Sequence, residues 1–195
     1  MNQFGQPWST LSEIDQNQLR TSIHRDKLND LWIGTFHSLF SRLLRYDIEK
    51  YNDPEGLKWS RQFSIYDETD SQTLVKEIVI QDMNLDPKRF DPKKIKRAIS
   101  NAKNQCFSSN DLEEKADNQF DKTVAEAYKR YRISLSRNNA LDFDDLLLLP
   151  VFLLRQNSLV RDYWHKRFHH ILVDEYQDTN RTQYELIKLL SLIHI

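Results

Sequence analysis

Apolar residues recur every three or four positions through most of the chain, which predicts a mainly helical protein. One clear pattern fills residues 37–51 and ends at residues 52–56, where NDPEG brings turn-forming residues together. The pattern over residues 112–135 is compatible with one helix or with two. Further helical patterns lie at residues 67–79, 91–102, 143–154 and 160–168, and a last one begins at residue 180.

Several predicted helices begin with a short polar residue that has another polar residue three positions later. Such pairs are typical of helix N-termini, because the first side chain can accept a hydrogen bond from a free backbone N–H. Pro92, directly after Asp91, also fits a first helical position. The predicted capping pairs are Asp67 with Asp70, Asn110 with Glu113, Asp142 with Asp145, and Asn180 with Gln183.

Two short apolar runs interrupt the helical pattern and predict buried β-strands. They are residues 31–33, Leu-Trp-Ile, and residues 171–173, Ile-Leu-Val. The predicted order is strand, helix, helical block, helix, strand, helix. This order favours an α/β lobe that is interrupted by an all-helical insertion.

Composition limits the class of protein. With 195 residues, 39% hydrophobic and 29% charged, the chain reads as one soluble domain or a domain with a small subdomain. No apolar run approaches the roughly 18 residues of a membrane span, and the first ten residues lack the pattern of a secretory signal. The single cysteine excludes an internal disulfide and fits a reducing compartment, so we expect a cytoplasmic protein without a membrane partner.

The charges are balanced overall, with 28 Lys and Arg against 29 Asp and Glu, but they are unevenly distributed. Residues 88–103 carry many cations and one anion, Asp91. Such a segment is either a solvated helix face or a surface that binds phosphates. Its cations are Lys88, Arg89, Lys93, Lys94, Lys96, Arg97 and Lys103.

Two adjacent carboxylates, Asp174 and Glu175, directly follow the second predicted strand. The carboxyl end of a strand in an open α/β sheet is where ligands bind. One carboxylate there can hold Mg²⁺ and the other can orient or deprotonate a water, although many such pairs are ordinary loop acids. A second acidic group, Asp142, Asp144 and Asp145, is predicted to be a helix cap with surface acids rather than a second metal site.

Longer motifs around these residues resemble the UvrD/Rep/PcrA family of superfamily 1 DNA helicases, and most closely its bacterial PcrA/UvrD branch. VDEYQDTNRTQ resembles the family's Walker B motif, and WIGTFHSLFSRLLR resembles its TFHS motif, which contacts single-stranded DNA. NNALDFDDLL resembles the segment that returns from the family's helical insertion. FSIYDETDSQ and DPKRFDPKKIKRAISNAKN resemble the insertion itself, so the likeness covers residues 31–190 in one order.

The resemblance implies an α/β fold: a partial P-loop NTPase (RecA-like) lobe, predominantly helical, interrupted by an all-α inserted subdomain. Residues 1–63 would belong to the lobe, with 1–30 unassigned, residues 64–140 would form the insertion, and residues 141–195 would return to the lobe. The implied function is that of a fragment of an ATP-dependent 3′-5′ DNA helicase that translocates on single-stranded DNA and unwinds duplex. ATP and Mg²⁺ are the implied cofactors, and single-stranded DNA and a duplex junction are the implied partners.

The resemblance also implies roles for individual residues. Asp174 would coordinate Mg²⁺, Glu175 would be the general base for the attacking water, and Gln177 would sense the γ-phosphate. Single-stranded DNA would be contacted from the loop after the first strand, and the duplex by the basic helix. The implied DNA-binding residues are Thr35, Phe36, His37 and Ser38 in the loop and Lys93, Lys94 and Arg97 in the helix.

No Walker A motif occurs in the sequence. The motif G-x-x-x-x-G-K-[ST] needs a glycine followed by lysine, and none of the three glycines, Gly5, Gly34 and Gly56, has one. We therefore expect a fragment or a truncated gene product that hydrolyses ATP negligibly by itself. Two other interpretations remain open: the motor part of a RecB/AddA-type helicase-nuclease, and a non-enzymatic nucleic-acid-binding helical module.

Overall fold

The computed structural model describes residues 31–191, and in that range the chain is mostly helical with a small parallel sheet. The chain divides into two compact units, Met1–Gly34 and Thr35–Ile195, and the helices and strands described within residues 31–191 belong to the second. The α-helices are α1 (Phe36–Asp47), α2 (Glu68–Glu77), α3 (Pro92–Asn104), α4 (Ser109–Glu114), α5 (Gln119–Arg137), α6 (Asp145–Gln156), α7 (Ser158–Arg167) and α8 (Arg181–Leu190). The remaining elements are the strands β1 (Ser64–Tyr66) and β2 (Ala140–Asp142), the 3₁₀ turns Ile48–Lys50 and Tyr176–Asp178, and the π turn Ile78–Asp82.

The sheet joins two distant parts of the chain. β1 and β2 run parallel, with Ser64 opposite Ala140 and Tyr66 opposite Asp142. Helices α2 to α5 lie between the two strands in the sequence. The fold is therefore α/β, as predicted. The predicted insertion, residues 64–140, begins on one strand of this pair and ends on the other, and its boundaries stay a prediction.

Both predicted strands are wrong. Residues 31–33 and 171–173 have no regular secondary structure, and their side chains are not buried. Leu172 is 98% exposed and Ile33 is 80% exposed. A strand is stabilised by hydrogen bonds to a neighbour, and within residues 31–191 only β1 and β2 pair. An apolar run alone does not supply that neighbour.

The predicted helices are largely confirmed, because their start signals are local. Asp67 and Asp70 form a capping box at α2, Asn180 and Gln183 form one at α8, and Pro92 is the first residue of α3. The predicted cap at Asn110 is wrong, because the N-cap of α4 is Ser108, two residues earlier. The pattern over residues 112–135 forms two helices, α4 and α5.

Two groups of buried side chains hold the helices together. One is a cluster formed mainly by α2, α3 and α5, and it includes Val79, Ile99 and Tyr131. The other surrounds α6, whose side chains are buried from Asp145 to Val151, so that this helix is covered on all sides by its neighbours, including α1 and α8. Within residues 31–191 no helix is long and apolar enough to cross a membrane.

A buried ion cluster links α3 to β2 and α6. The ammonium group of Lys103 lies 2.8 Å from Asp142 and 2.7 Å from Asp145, and all three side chains are almost fully buried. The Tyr131 hydroxyl and the Asp145 backbone N–H also donate to Asp142, at 2.9 Å and 2.8 Å. The predicted cap at Asp142 is wrong, because the N-cap of α6 is Asp144, which forms no side-chain cap hydrogen bond. Asp142 and Asp145 are also not surface acids, since both are buried. Likewise, Lys103 does not belong to an exposed basic face.

The cluster places two carboxylates around one ammonium group, which shifts the pKa of each member. Burial and the neighbouring Asp142 raise the pKa of Asp145 to about 7. Burial also acts to raise the pKa of Asp142, but Lys103 and the hydrogen bonds to this carboxylate outweigh it and hold its pKa below the ordinary value. Burial acts to lower the pKa of Lys103, and the two carboxylates outweigh it, so its pKa is raised.

These shifts predict that Asp145 makes folding stability depend on pH. Its pKa rises from 3.8 to about 7 on folding, so the folded state binds more protons between these values and the free energy of unfolding falls as the pH rises through them. Asp145→Asn removes this contribution. Urea unfolding between about pH 5 and pH 8 should give a flatter pH dependence for this variant than for the parent chain.

The exposed acid Asp162 on α7 provides a matched control, because Asp162→Asn removes the same formal charge. This control should keep the pH dependence of the parent chain. An Asp145→Asn variant with an unchanged pH dependence would contradict the assigned protonation.

Candidate functional site

The acidic pair lies on an exposed loop, residues 174–180, between α7 and α8. Asp174 accepts a hydrogen bond from the backbone N–H of Glu175 at 3.0 Å. Glu175 adopts the left-handed conformation, with φ 49° and ψ 40°, and leads into the 3₁₀ turn Tyr176–Asp178. An L-residue rarely adopts this conformation, and such local strain is concentrated at functional sites. Both carboxylates are open to solvent.

Gln177 contacts the predicted general base. Its side-chain amide donates to the Glu175 carboxylate at 2.5 Å. Next to this contact, an open hollow extends from the turn to the first part of α8. It is lined by Tyr176, Gln177, Thr179, Asn180, Arg181, Tyr184 and Glu185.

The carboxylates of this loop suit Mg²⁺ if waters and phosphates provide the remaining ligands. Within residues 31–191, no group of three or more His, Cys, Asp or Glu side chains could hold a metal ion. Mg²⁺ does not require such a group, because it commonly takes one or two carboxylates and completes its octahedron with waters and substrate phosphates. Asp174 could supply one such carboxylate, and its exposure leaves room for the other ligands.

Residues 35–38 form the start of α1 and not a loop after a strand, which corrects the predicted setting. Thr35 is the N-cap and accepts from the Ser38 N–H at 3.3 Å, while the Ser38 hydroxyl donates to the Thr35 carbonyl at 2.9 Å. Both residues are exposed. The hydroxyls and the N–H groups of a first helical turn suit a phosphate.

The two aromatic residues of this turn are half-buried. Phe36 stacks on Phe40, with ring centroids 6.1 Å apart, and His37 meets the edge of Phe143 at 5.7 Å. Burial lowers the pKa of His37, and the nearby Asp144 only partly opposes this effect. A lowered pKa favours the neutral imidazole at pH 7, so His37 can stack or form hydrogen bonds but does not add a positive charge.

The cations of residues 88–103 do not share one surface. Lys93, Lys94 and Arg97 are exposed on α3, and none of them forms an ion pair with another residue of the described range, 31–191. Lys96 is buried and lies 3.0 Å from Glu68 on α2. We call Lys93, Lys94 and Arg97 the basic surface.

A groove between α2 and α3 adjoins the basic surface. It contains several polar side chains that the motif comparison with the helicases did not single out. On each helix these residues are three or four positions apart, a spacing that could have predicted that they lie on the same side of the helix. The groove is lined by Glu68, Thr69, Gln72 and Thr73 from α2 and by Lys93, Lys96, Arg97 and Ser100 from α3.

The residues predicted to bind nucleotide, single-stranded DNA and duplex DNA thus lie on three different parts of the structure. Glu175 and Gln177 are brought into contact on the acidic loop. The residues predicted to bind single-stranded DNA form the first turn of α1, and the basic surface lies on α3. The nucleotide-binding and DNA-binding roles of these residues stay predictions.

Comparison with known proteins relates the chain to helicases. A family model described as the UvrD/REP helicase N-terminal domain matches residues 11–194. The ATP-dependent DNA helicase PcrA of Leuconostoc citreum is 38% identical over 193 residues, which are 95% of this chain and 25% of that protein. The Bacillus subtilis helicase of the same name is 40% identical over 192 residues, again 95% of this chain and 25% of that protein. The chain therefore spans about a quarter of the length of these relatives.

Proposed function

The chain belongs to the UvrD/REP helicase N-terminal domain family, and we propose that it is part of an ATP-dependent DNA helicase. The proposed motor moves 3′-to-5′ along single-stranded DNA and separates the duplex ahead of it. The observation that carries this proposal is the exposed loop on which Asp174, Glu175 and Gln177 lie together. The PcrA relatives, which bear the name ATP-dependent DNA helicase, support the same assignment.

In the proposed architecture, residues 1–63 and 141–195 contribute to a P-loop NTPase lobe, and residues 64–140 form an inserted helical subdomain. The parallel pairing of β1 with β2 supports it, since those strands begin at the two ends of the insertion. Residues 1–30 lie outside the described range and have no assigned role. No G-x-x-x-x-G-K-[ST] motif occurs in these 195 residues, so the proposal requires a phosphate-binding loop from elsewhere in the motor.

In the proposed ATP site, the two carboxylates divide the work. Asp174 holds Mg²⁺, which when bound neutralises charge on the β- and γ-phosphates. Glu175 accepts the proton of the attacking water. Gln177 orients Glu175 through their 2.5 Å hydrogen bond and senses the γ-phosphate. Without a phosphate-binding loop, the chain alone is expected to turn over ATP negligibly.

The proposed DNA contacts lie on two elements. The first turn of α1 offers hydroxyls, amides and the rings of Phe36 and His37 to a single strand. The basic surface of α3 contacts the phosphates of the duplex. Exposed cations that form no ion pair within residues 31–191 support this role, because a phosphate does not need to displace an acidic partner.

A triple variant, Lys93→Gln, Lys94→Gln and Arg97→Gln, tests the duplex contact in this chain. Each phosphate contact adds about one unit to the salt slope of the binding constant, so the variant should lower this slope by roughly two to three units. Fluorescence anisotropy with a labelled duplex, repeated at several salt concentrations, measures both affinity and slope.

The matched control changes three exposed lysines on other parts of the structure, Lys58→Gln, Lys129→Gln and Lys166→Gln, for the same loss of charge. This control should retain most of the affinity and of the slope. If both triple variants weaken binding equally, the attraction depends on net charge alone and the basic surface is not the duplex site.

A further inference from the structure

Helix α3 extends from the basic surface to the start of α8, the helix that directly follows the acidic loop. Its 13 residues cover about 20 Å at a rise of 1.5 Å per residue. Lys93, Lys94 and Arg97 lie in its first half. Its last turn, which contains Lys103 and Asn104, contacts the residues at which α8 begins.

Two hydrogen bonds join α3 to the start of α8. The Thr182 hydroxyl donates to the Lys103 carbonyl at 2.8 Å, and Thr182 is only 1% exposed. The Asn180 side-chain amide donates to the Asn104 side-chain oxygen at 2.5 Å. Asn180 is also the N-cap of α8 and forms a capping box with Gln183. The acidic loop ends at Asn180, so α3 holds one end of this loop.

The last turn of α3 also forms polar contacts with β2 and with the first residues of α6. The Asn104 amide donates to Asp144 at 3.1 Å, and the Lys103 ammonium group is held by Asp142 and Asp145. Because these partners are buried or half-buried, the last turn of α3 cannot move without disturbing them. The same turn thus contacts α6, β2 and the start of α8, so a change in its position would alter all three sets of contacts.

We propose that α3 transmits DNA binding at the basic surface to the acidic loop, and that Asn104 and Thr182 are the positioning residues of this link. The inference rests on the proposed function for its ligand, a duplex polyanion. It adds a route by which DNA regulates the placement of Glu175. Coupling between two sites is reciprocal, so a ligand held by the acidic loop would also change the affinity of the basic surface for DNA.

Hydrogen exchange of the purified chain tests the link first without DNA. The reporters are the amides of Asp178, Thr179 and Gln183, whose hydrogen bonds form the 3₁₀ turn and the cap of α8. Thr182→Val keeps the side-chain shape but removes the hydroxyl, and should speed their exchange about fivefold, the effect of losing one net hydrogen bond. Thr182→Ser restores the hydroxyl and should restore the parent rate.

Asn104→Ala should have a similar effect on the same amides, with Asn101→Ala as its control on the exposed side of the same helix. Unchanged exchange in both Thr182→Val and Asn104→Ala would overturn the inference whatever the chain does with DNA. The DNA-free measurement therefore judges the link separately from the proposed function.

The second measurement adds a saturating blunt DNA duplex. Bound duplex should change the exchange of the three reporter amides several-fold in the parent chain and in Thr182→Ser. Thr182→Val should bind the duplex with the same affinity and lose this change. Loss of a residue with only a structural role would not remove the DNA-induced change in exchange while leaving the affinity for the duplex unchanged.

The coupling is refuted if the duplex binds the parent chain without altering the reporter amides, or if Thr182→Val keeps the full response. If no duplex binds, the DNA part of the proposed function fails and the coupling fails with it. In that case faster exchange in the DNA-free variants would still establish the contact between α3 and α8.

Discussion

Replacing Glu175 by glutamine should lower ATP hydrolysis by roughly 10²–10⁴-fold in a complete motor, the usual contribution of a general base. Glutamine keeps the size of the side chain and can still accept the hydrogen bond from Gln177, but it cannot take a proton from water. Nucleotide binding should change little, because the metal is assigned to Asp174.

The reaction can be measured in a chimera in which this chain replaces the matched segment of the Bacillus subtilis relative. That protein contributes the parts of the motor that lie outside the match, and ATP turnover is followed with single-stranded DNA present. Glu114→Gln, an exposed acid on α4, is the control and should hydrolyse ATP like the parent chimera. Equal turnover by the Glu175→Gln and parent chimeras would remove Glu175 from the chemistry.

Replacing Lys103 by methionine should produce the largest loss of stability. The change leaves Asp142 and Asp145 buried without their cation, and breaking a buried ion pair in this way costs about 3–5 kcal/mol. Urea unfolding of the chain measures the loss. Lys94→Met, on the exposed side of the same helix, should stay within about 0.5 kcal/mol of the parent chain.

A double variant distinguishes charge from packing as the cause. Lys103→Met with Asp145→Asn removes the cation together with one of the two carboxylates that need it. It should be more stable than Lys103→Met alone, because one buried acid no longer has to remain unpaired. A Lys103→Met variant that loses less than about 1 kcal/mol would show that the cluster contributes little to folding.

The helices could be predicted because their signals are local. The residues that form a capping box, such as Asp67 and Asp70, are three positions apart, and the apolar stripe of α2 repeats within a few turns. The strands could not be predicted in the same way. β1 and β2 have three residues each and are stabilised by each other across residues 67–139, whereas residues 171–173 look like a strand but have no neighbour to pair with in the described part of the chain.

The cations of residues 88–103 show a second limit of prediction from the sequence. The seven cations of residues 88–103 look equivalent in the sequence. In a helix, however, the position of each residue decides whether its side chain lies on the buried or the exposed side. Lys96 and Lys103 are seven residues apart and share the inward face of α3 with Ile99. Helical spacing could therefore have separated them from Lys93, Lys94 and Arg97. The acidic partners of Lys103 could not have been identified, because Asp142 and Asp145 lie far along the chain.

The acidic pair was predicted from its motif, and its role in an ATP site stays a prediction. The predicted strand before it is wrong, yet Asp174 and Glu175 are exposed and Gln177 contacts Glu175. The contact depends on the left-handed turn at Glu175, which no local pattern in the sequence indicates. The contact between the start of α8 and α3 also escaped prediction, since Asn104 and Thr182 are ordinary polar residues in sequence.

The division of work between the two carboxylates is tested most directly by the metal affinity of the chimera. Electron paramagnetic resonance can follow Mn²⁺, used in place of Mg²⁺, as it binds in the presence of ADP. Asp174→Asn should weaken Mn²⁺ binding by about tenfold or more, and Glu175→Gln should change it by less than about twofold while abolishing turnover. Unchanged Mn²⁺ affinity in Asp174→Asn, or an equal loss in both variants, would contradict the assignment of the metal to Asp174 and of the water to Glu175.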